Sequence, residues 1–415
     1  MVSGEPKEIT VVVDERGIVV DRFVGVYRPS NVDEFYNLTK LGIALPGFID
    51  IHAHLRGLEL SYKEDEYSGC RAAAVGGFTL VVDMPNTIPR VDRTSVLVDK
   101  RARLLSQKFV DVGIYIAPPK DSKELEEMMK VDIVAGIKLF PNDYEALSII
   151  KLFARRSLIV VHPEDPSLII ETSIPGARWR SRPIECEVAA LDSIAKLGQG
   201  LRIHITHATN PLTVVKAKRM GFTVDTCPHY LVLSSRDEYR LRCIAKVNPP
   251  LRSPSVGMCM INVLSMVDAV STDHAPHSEE EKHQPFDRCP SGISSIDLAP
   301  SIMLDLVVRG LLNLESVIRL MSLGPARILG LEMWGCIDRG CIASYTIASL
   351  RREFRICREV VASRARLTPY EGTVLRAQVV STVIRGHVVA IDREIVDVVE
   401  PQPIATLRVM GCARA

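Results

Sequence analysis

The chain has 415 residues, 47% of them hydrophobic and 24% charged, with 51 Lys and Arg against 50 Asp and Glu. That length and apolar content support one large domain or two ordinary ones with real cores, and the near balance of charge excludes a field that would favour nucleic acid or an anionic membrane. A specific small-molecule site is the natural expectation.

No apolar run approaches the roughly 20 residues that span a bilayer, and the opening stretch MVSGEPKEITVVVDERG lacks a signal-peptide core, so the chain is expected in the cytoplasm. Ten cysteines (Cys70, Cys186, Cys227, Cys243, Cys259, Cys289, Cys336, Cys341, Cys357 and Cys412) are scattered without a CxxC pair, which argues against a structural zinc ribbon. Most are expected as buried thiols. Asn (8) and Gln (5) are scarce, a depletion found in hyperthermophiles, whose intracellular proteins carry disulfides, so composition leaves some pairing open.

Taken in chain order, residues 1–45 (ITVVVDERGIVVDRF) read as short strands with tight turns. From residue 48, eight β-rich apolar runs follow: 48–55, 78–84, 109–118, 135–140, 157–164, 202–207, 222–231 and 268–274. Between them lie helical patterns such as DRTSVLVDKRARLLSQ, KELEEMMK, PIECEVAALDSIAKLG and PLTVVKAKRMG. Eight strands with helical crossovers over roughly 250 residues predict an α/β fold of the (β/α)8, TIM-barrel type spanning 46–334. A doubly wound open sheet is the runner-up, disfavoured because no GxGxxG turn follows an early strand. Residues 335–415 return to short strands without intervening helices, so the two termini are expected to share one small β-sandwich-like domain.

In a barrel, the carboxyl ends of the strands converge on one mouth. The first run carries His52 and His54, two apart and so on one side of a strand. The fourth carries Lys138, the fifth ends in His162, the sixth in His207 and the eighth in Asp273. Any one of these histidines alone reads equally as a hydrogen-bonded structural group; the joint placement of four histidines and one aspartate at the ends of four strands points to a metal centre. His204, of opposite parity to His207, is expected to pack.

An ammonium at Lys138 would be repelled by metal ions, whereas a lysine that has taken up carbon dioxide is a carbamate anion able to bridge two cations. The alternative is a lysine paired with a neighbouring carboxylate. Arg56, beside the two imidazoles, is costly unless an anion is meant to arrive.

The motifs PGFIDIHAHLR (46–56), KEDEYSGCRAAAVGGFT (63–79), MPNTIP (84–89), GIKLF (136–140), HPED (162–165), HITHAT (204–209), CPHYL (227–231), KVNPPLRS (246–253) and STDHAPH (271–277), with TVIRG (382–386), resemble the dihydroorotases of the amidohydrolase superfamily over nearly the whole chain. The resemblance implies His52, His54, His162 and His207 as metal ligands and a carboxylated Lys138 bridging two zinc ions. Asp273 would both touch a metal and shuttle a proton. It further implies that Arg56, Asn86, Asn248 and His277 hold the substrate, and that Gly292 offers a backbone contact. The reaction implied is the reversible cyclisation of N-carbamoyl-L-aspartate to L-dihydroorotate, with a metal-bridged hydroxide attacking the cyclic amide.

Three departures from the family pattern stand out. HLRGLEL (54–60) replaces HLR followed by EPG, ASYTIAS (343–349) replaces an ADLVIFD-like segment, and the polar stretch 278–295 reads as a mouth loop. Two rival readings share the motifs: a hydantoinase or allantoinase-like cyclic amidohydrolase, and a non-catalytic scaffold for aspartate transcarbamoylase, a partner that a catalytic chain could also dock to. A homo-oligomer is left open.

Overall fold

The computed structural model describes residues 7–412. Eight parallel strands follow one another around one sheet: β1 (Phe48–Ala53), β2 (Phe78–Asp83), β3 (Asp111–Ile116), β4 (Val134–Leu139), β5 (Leu158–Val161), β6 (Arg202–Ile205), β7 (Thr223–Thr226) and β8 (Ala269–Val270). The sheet closes where β1 meets the segment after β8, through a parallel bridge between Ala53 and His274 and a bond from His54 N to His274 O of 2.7 Å. The (β/α)8 barrel is therefore the fold, and the open sheet is not.

Nearly every barrel-strand residue is buried, as expected where helices cover one face and side chains fill the other. The strand ends are shorter than the apolar runs. In FTVDTCPHYL the strand stops at Thr226, because Pro228 has no N–H to give a ladder and instead opens the helix Pro228–Val232. The crossover helices begin where capping residues allow: Asp65 and Ser68 form a capping box on Glu66–Gly76, and Asn210 accepts from Thr213 N at the start of Pro211–Arg219.

Both termini contribute to a second, antiparallel layer. Its five-stranded sheet runs in the spatial order Glu394–Ile395, His387–Ile391, Gln378–Ile384, Tyr345–Ser349 and Ile43–Pro46. The hairpin Ile9–Val13 with Val19–Val24 lies against it over an apolar cluster that includes Val19, Ala343, Ile347, Val380 and Val388.

The carboxyl-terminal segment departs from expectation, because it is not strands and turns throughout. Residues Ile404–Cys412 form a helix that leaves the small sheet and returns to the barrel. Pro403 bridges to Val112, Ala405 N bonds to Asp132 O, and Arg408 donates to Ala135 O, so the helix covers the amino ends of β3 and β4. Ile404 and Leu407 join Ile49, Ile51, Leu80, Val82, Tyr115 and Val160 in one apolar cluster. The barrel is thus stoppered at the end opposite its mouth.

The cysteine expectation also needs correction. Cys243–Cys289 and Cys336–Cys341 are disulfides, and of the free thiols only Cys70, Cys186 and Cys227 are buried. The Cys412 side chain lies outside the described residues. Among the described residues no helix is long and apolar enough to cross a membrane.

The helical stopper makes a prediction. Leu407 is 1% exposed, so Leu407→Ala should destabilise the fold by about 2–5 kcal/mol, read as a lower denaturant midpoint with the mouth chemistry unchanged at low temperature.

Candidate metal centre and substrate pocket

Each group at the mouth is placed by a strand end, and several strand ends are held by a buried carboxylate. Asp50 in β1, fully buried, accepts from His52 N at 3.1 Å and from Thr272 N at 3.1 Å, so it ties the first strand to the eighth. Burial pushes its carboxyl up to about 7 despite these bonds. Asp225 in β7 accepts from His207 N and from Ser271 Oγ, and meets His204 Nε2 at 3.0 Å. His204 also bonds Thr223 Oγ1 through Nδ1, at 2.9 Å, so both its nitrogens are used in support.

Three of the residues at these ends adopt left-handed backbone, with φ of 57° at Arg56, 44° at His207 and 46° at Asp273. Such conformations cost on the order of 1–3 kcal/mol each in a residue with a side chain and cluster where function needs them.

The side chains so placed converge. Asp273 Oδ1 lies 3.3 Å from His52 Nε2 and 3.2 Å from His54 Nε2, and ligand atoms of the three residues all lie within 4.8 Å of one another. The His52 ring is 5.3 Å from that of His207, which in turn is 4.4 Å from that of His162. One set of ligands therefore runs into the next through His52 and His207.

The chemistry of the donors suits divalent cations. Burial, together with the neighbouring Lys138 and histidines, drives the His52 and His207 imidazoles well below their ordinary value, so they are neutral and keep a lone pair. Burial would raise the Asp273 carboxyl, but the bond and charge of His54 hold it below its usual range. His52 Nδ1 and His207 Nδ1 are buried without a hydrogen-bond partner.

Second contacts orient the rings. His54 Nδ1 meets Asn86 Oδ1 at 2.6 Å, which leaves Nε2 toward Asp273. His162 Nε2 meets Glu164 Oε2 at 2.7 Å, and Arg182 clamps that carboxylate through Nε at 3.1 Å, so the free ligand atom of His162 is Nδ1.

Lys138 is fully buried at the end of β4, where it donates to Thr206 Oγ1 at 3.1 Å. Among the described residues it forms no ion pair within 4.0 Å, and burial lowers its ammonium to about 8. The reading of a lysine neutralised by an adjacent carboxylate thus finds no such partner here.

The other group of residues surrounds Arg56. The guanidinium, 6% exposed, donates to Pro276 O at 3.3 Å and lies 3.3 Å from His277 Nε2. His277 also meets Ser291 O at 2.9 Å through Nε2 and Lys63 Nζ at 3.3 Å through Nδ1. Burial and the cations Arg56, Lys282 and Lys63 keep its imidazole neutral. Gly292 has φ 141°, and a Cβ there would collide with the Ala275 carbonyl, so only glycine lets this segment run beside DHAPH.

Asn248 stands apart from the cluster of His52, His54 and Asp273. Its Oδ1 accepts from Arg178, a buried guanidinium that also holds Val247 O at 2.7 Å and Glu238. The Oδ1 of Asn86, a residue expected on the substrate, meets His54 Nδ1 at 2.6 Å.

Sequence reasoning passed over Asp50, Asp83, Asp225 and the Glu164–Arg182 pair. Their signal was present, since a carboxylate inside an apolar strand is expensive unless it holds something.

Comparison with known proteins adds an independent line. A family model described as Dihydro-orotase-like matches residues 42–152. The chain is 36% identical to a dihydroorotase of Saccharolobus solfataricus, covering 86% of this chain and 87% of that one, and 37% identical to a dihydroorotase of Aeropyrum pernix over 83% of each. Among solved structures, the L-hydantoinase (dihydropyrimidinase) from Arthrobacter aurescens superposes with a TM-score of 0.83 at 22% identity, covering 93% of both chains. A D-hydantoinase from Thermus gives 0.80 at 18% identity over 96% of both. These structural likenesses speak to the fold.

Asn86→Ala would leave His54 Nδ1 without its orienting acceptor. Metal affinity, measured by competition with a chromogenic chelator, should fall by roughly 10- to 100-fold while the fold is kept.

Proposed function

The chain belongs to the dihydroorotase family, and we propose that its mouth residues carry out the reversible cyclisation of N-carbamoyl-L-aspartate to L-dihydroorotate. The observation that carries this reading is a buried arginine placed beside a neutral imidazole and carboxylate cluster at one barrel mouth. An amide hydrolase that acts on an anionic ring needs both parts: one to activate water, the other to receive a carboxylate.

His52, His54 and Asp273 would hold one divalent ion, His162 and His207 a second, and a carboxylated Lys138 would serve both. The imidazole-rich set suits zinc. Ions bound there would polarise the amide carbonyl and bring the pKa of water toward neutrality.

The chain's own groups do the rest. Asp273 takes the proton of the attacking water and passes it to the leaving ring nitrogen, and in the closing direction returns it. Arg56 receives the substrate carboxylate with a bidentate fork, and burial strengthens that contact by excluding competing water. His277 and the Gly292 backbone would line the same pocket, while Asn86 and Asn248, whose amide oxygens meet His54 and Arg178, would reach the substrate through their amide nitrogens.

Cyclic-amide hydrolysis as such does not select the ring, because the same ligands serve any such substrate. Arg56 makes the selection. A scaffold without catalysis would have no need of a filled ligand set, and every position of that set is present.

Steady-state assays on dihydroorotate, hydantoin and allantoin test the assignment. Dihydroorotate should turn over fastest, and faster turnover of either other ring would overturn the choice. Removal of metal with a chelator should abolish activity and readdition restore it. Asp273→Asn should lower kcat on the order of 10²- to 10⁴-fold, the range of a lost acid–base group. Activity that survived either change would remove the proposed chemistry.

A further inference from the structure

The turn after Arg56 is where this chain leaves the family pattern, with Gly57-Leu58 in place of the usual Glu-Pro-Gly. Arg56, Gly57 and Leu58 are left-handed in succession, at φ 57°, 70° and 51°. Two of these residues carry side chains, and from Gly57 onward the turn is held by its own backbone, with Gly57 N bonded to Glu64 O at 3.1 Å and Leu60 N to Gly57 O at 2.9 Å. The Arg56 carbonyl at its start is held from outside the turn.

What holds it is a buried ammonium. Lys100 belongs to the helix Thr94–Leu105 that follows β2, and it is 0% exposed. Its Nζ reaches Glu66 Oε1 at 2.6 Å, Asp83 Oδ2 at 2.7 Å and the Arg56 carbonyl oxygen at 3.0 Å. Two hydrogen bonds and one ion pair thus surround the ammonium.

Asp83 extends the hold from the other side. Its Oδ1 accepts from Leu55 N at 2.8 Å and from Met84 N at 2.8 Å, so one carboxylate grips the backbone on both sides of the β1–β2 seam. Glu66 fits because Gly57 has no Cβ; a Cβ there would collide with its carboxylate. The other buried positions of the helix, Leu97 and Leu104, are apolar, and burying a lysine among them is costly without a task.

We infer that Lys100 is a positioning residue for substrate specificity. Through the Arg56 carbonyl and Asp83 it fixes the backbone from which the Arg56 guanidinium reaches the substrate carboxylate, and so makes the pocket selective for carboxylate-bearing rings. This inference rests on the dihydroorotase reading of the mouth. It assigns Lys100 no contact with substrate and no share in proton transfer.

The test compares orotate and uracil, the same planar ring with and without a carboxylate, as competitive inhibitors of dihydroorotate ring opening by the metal-loaded protein. Lys100→Met keeps the apolar stem and removes the ammonium. The KM for dihydroorotate and the Ki for orotate should rise together by about tenfold, the scale of one misaligned charge-assisted contact. The Ki for uracil, kcat and bound metal per chain should stay within about twofold of the unaltered protein.

A parallel rise of both Ki values would mean general damage to the pocket and overturn the inference, as would an unchanged orotate Ki. Gly57→Ala strains the same turn and displaces Glu66 without deleting a charge. It must move the orotate-to-uracil ratio in the same direction, and it decides the matter where Lys100→Met does not fold. Failure of the function assignment is seen separately, as an unaltered protein that does not open dihydroorotate at all.

Discussion

The constraint on which this molecule depends is the crowding of basic groups in a dry barrel mouth. His52, His54, His162, His207, Lys138 and Arg56 are all buried, and Asp273 is the carboxylate that reaches into their midst. Were the imidazoles charged, their mutual repulsion at ring separations of 4.4–5.4 Å would be severe in low dielectric. Burial resolves this at His52, His54 and His207 by disfavouring their charged form, and a neutral imidazole keeps the lone pair that a cation would use. A site that is unfavourable as a set of cations is thus favourable as a set of lone pairs awaiting cations.

The remaining carboxylates sit one layer out and act on the backbone. Asp50, Asp83 and Asp225 accept from the N–H groups of His52, Leu55 and His207, the residues that carry or adjoin the functional side chains. Glu164 does the same for a ring nitrogen of His162. Removing any of these would leave a buried N–H or imidazole without its partner, at a cost of about 1–3 kcal/mol before any effect on function. The left-handed residues at the mouth persist because this layer over-determines them.

Much of this was legible in the sequence, because period and ligand placement are local signals. Eight apolar runs with helical spacers point to the barrel, and polar residues near the ends of the first, fourth, fifth, sixth and eighth runs point to the mouth. The Ile404–Cys412 helix was not legible, since its short apolar pattern follows strand-like text and its helical state depends on packing against strands nearly three hundred residues earlier. The two disulfides were equally hidden: Cys243 and Cys289 are brought together by the path of the mouth loop and not by any spacing rule. The support that the Asn86 and Asn248 oxygens give to His54 and Arg178 was not legible either, because an amide that props a neighbouring side chain and one that meets a substrate look alike in sequence.

The mouth loop shows how a polar stretch becomes a fixed wall. Residues 278–295 read as a polar mouth loop, and in the structure Lys282 donates to Cys243 O at 2.9 Å and Pro290 O at 2.9 Å, while Lys246 donates to Phe286 O and Cys289 O at 2.7 Å each. The Cys243–Cys289 disulfide joins the same two segments. Two buried ammonium groups, Lys246 and Lys282, are satisfied there by carbonyl oxygens, and burial lowers Lys282 to about 7. Gly292 bonds to Lys246 O at 2.8 Å, so the segment bearing Asn248 and the segment facing His277 are registered against each other before any ligand arrives. A pocket wall that is cross-linked and pre-set in this way loses little conformational freedom when a ring-shaped substrate arrives, which is how a rigid scaffold favours binding.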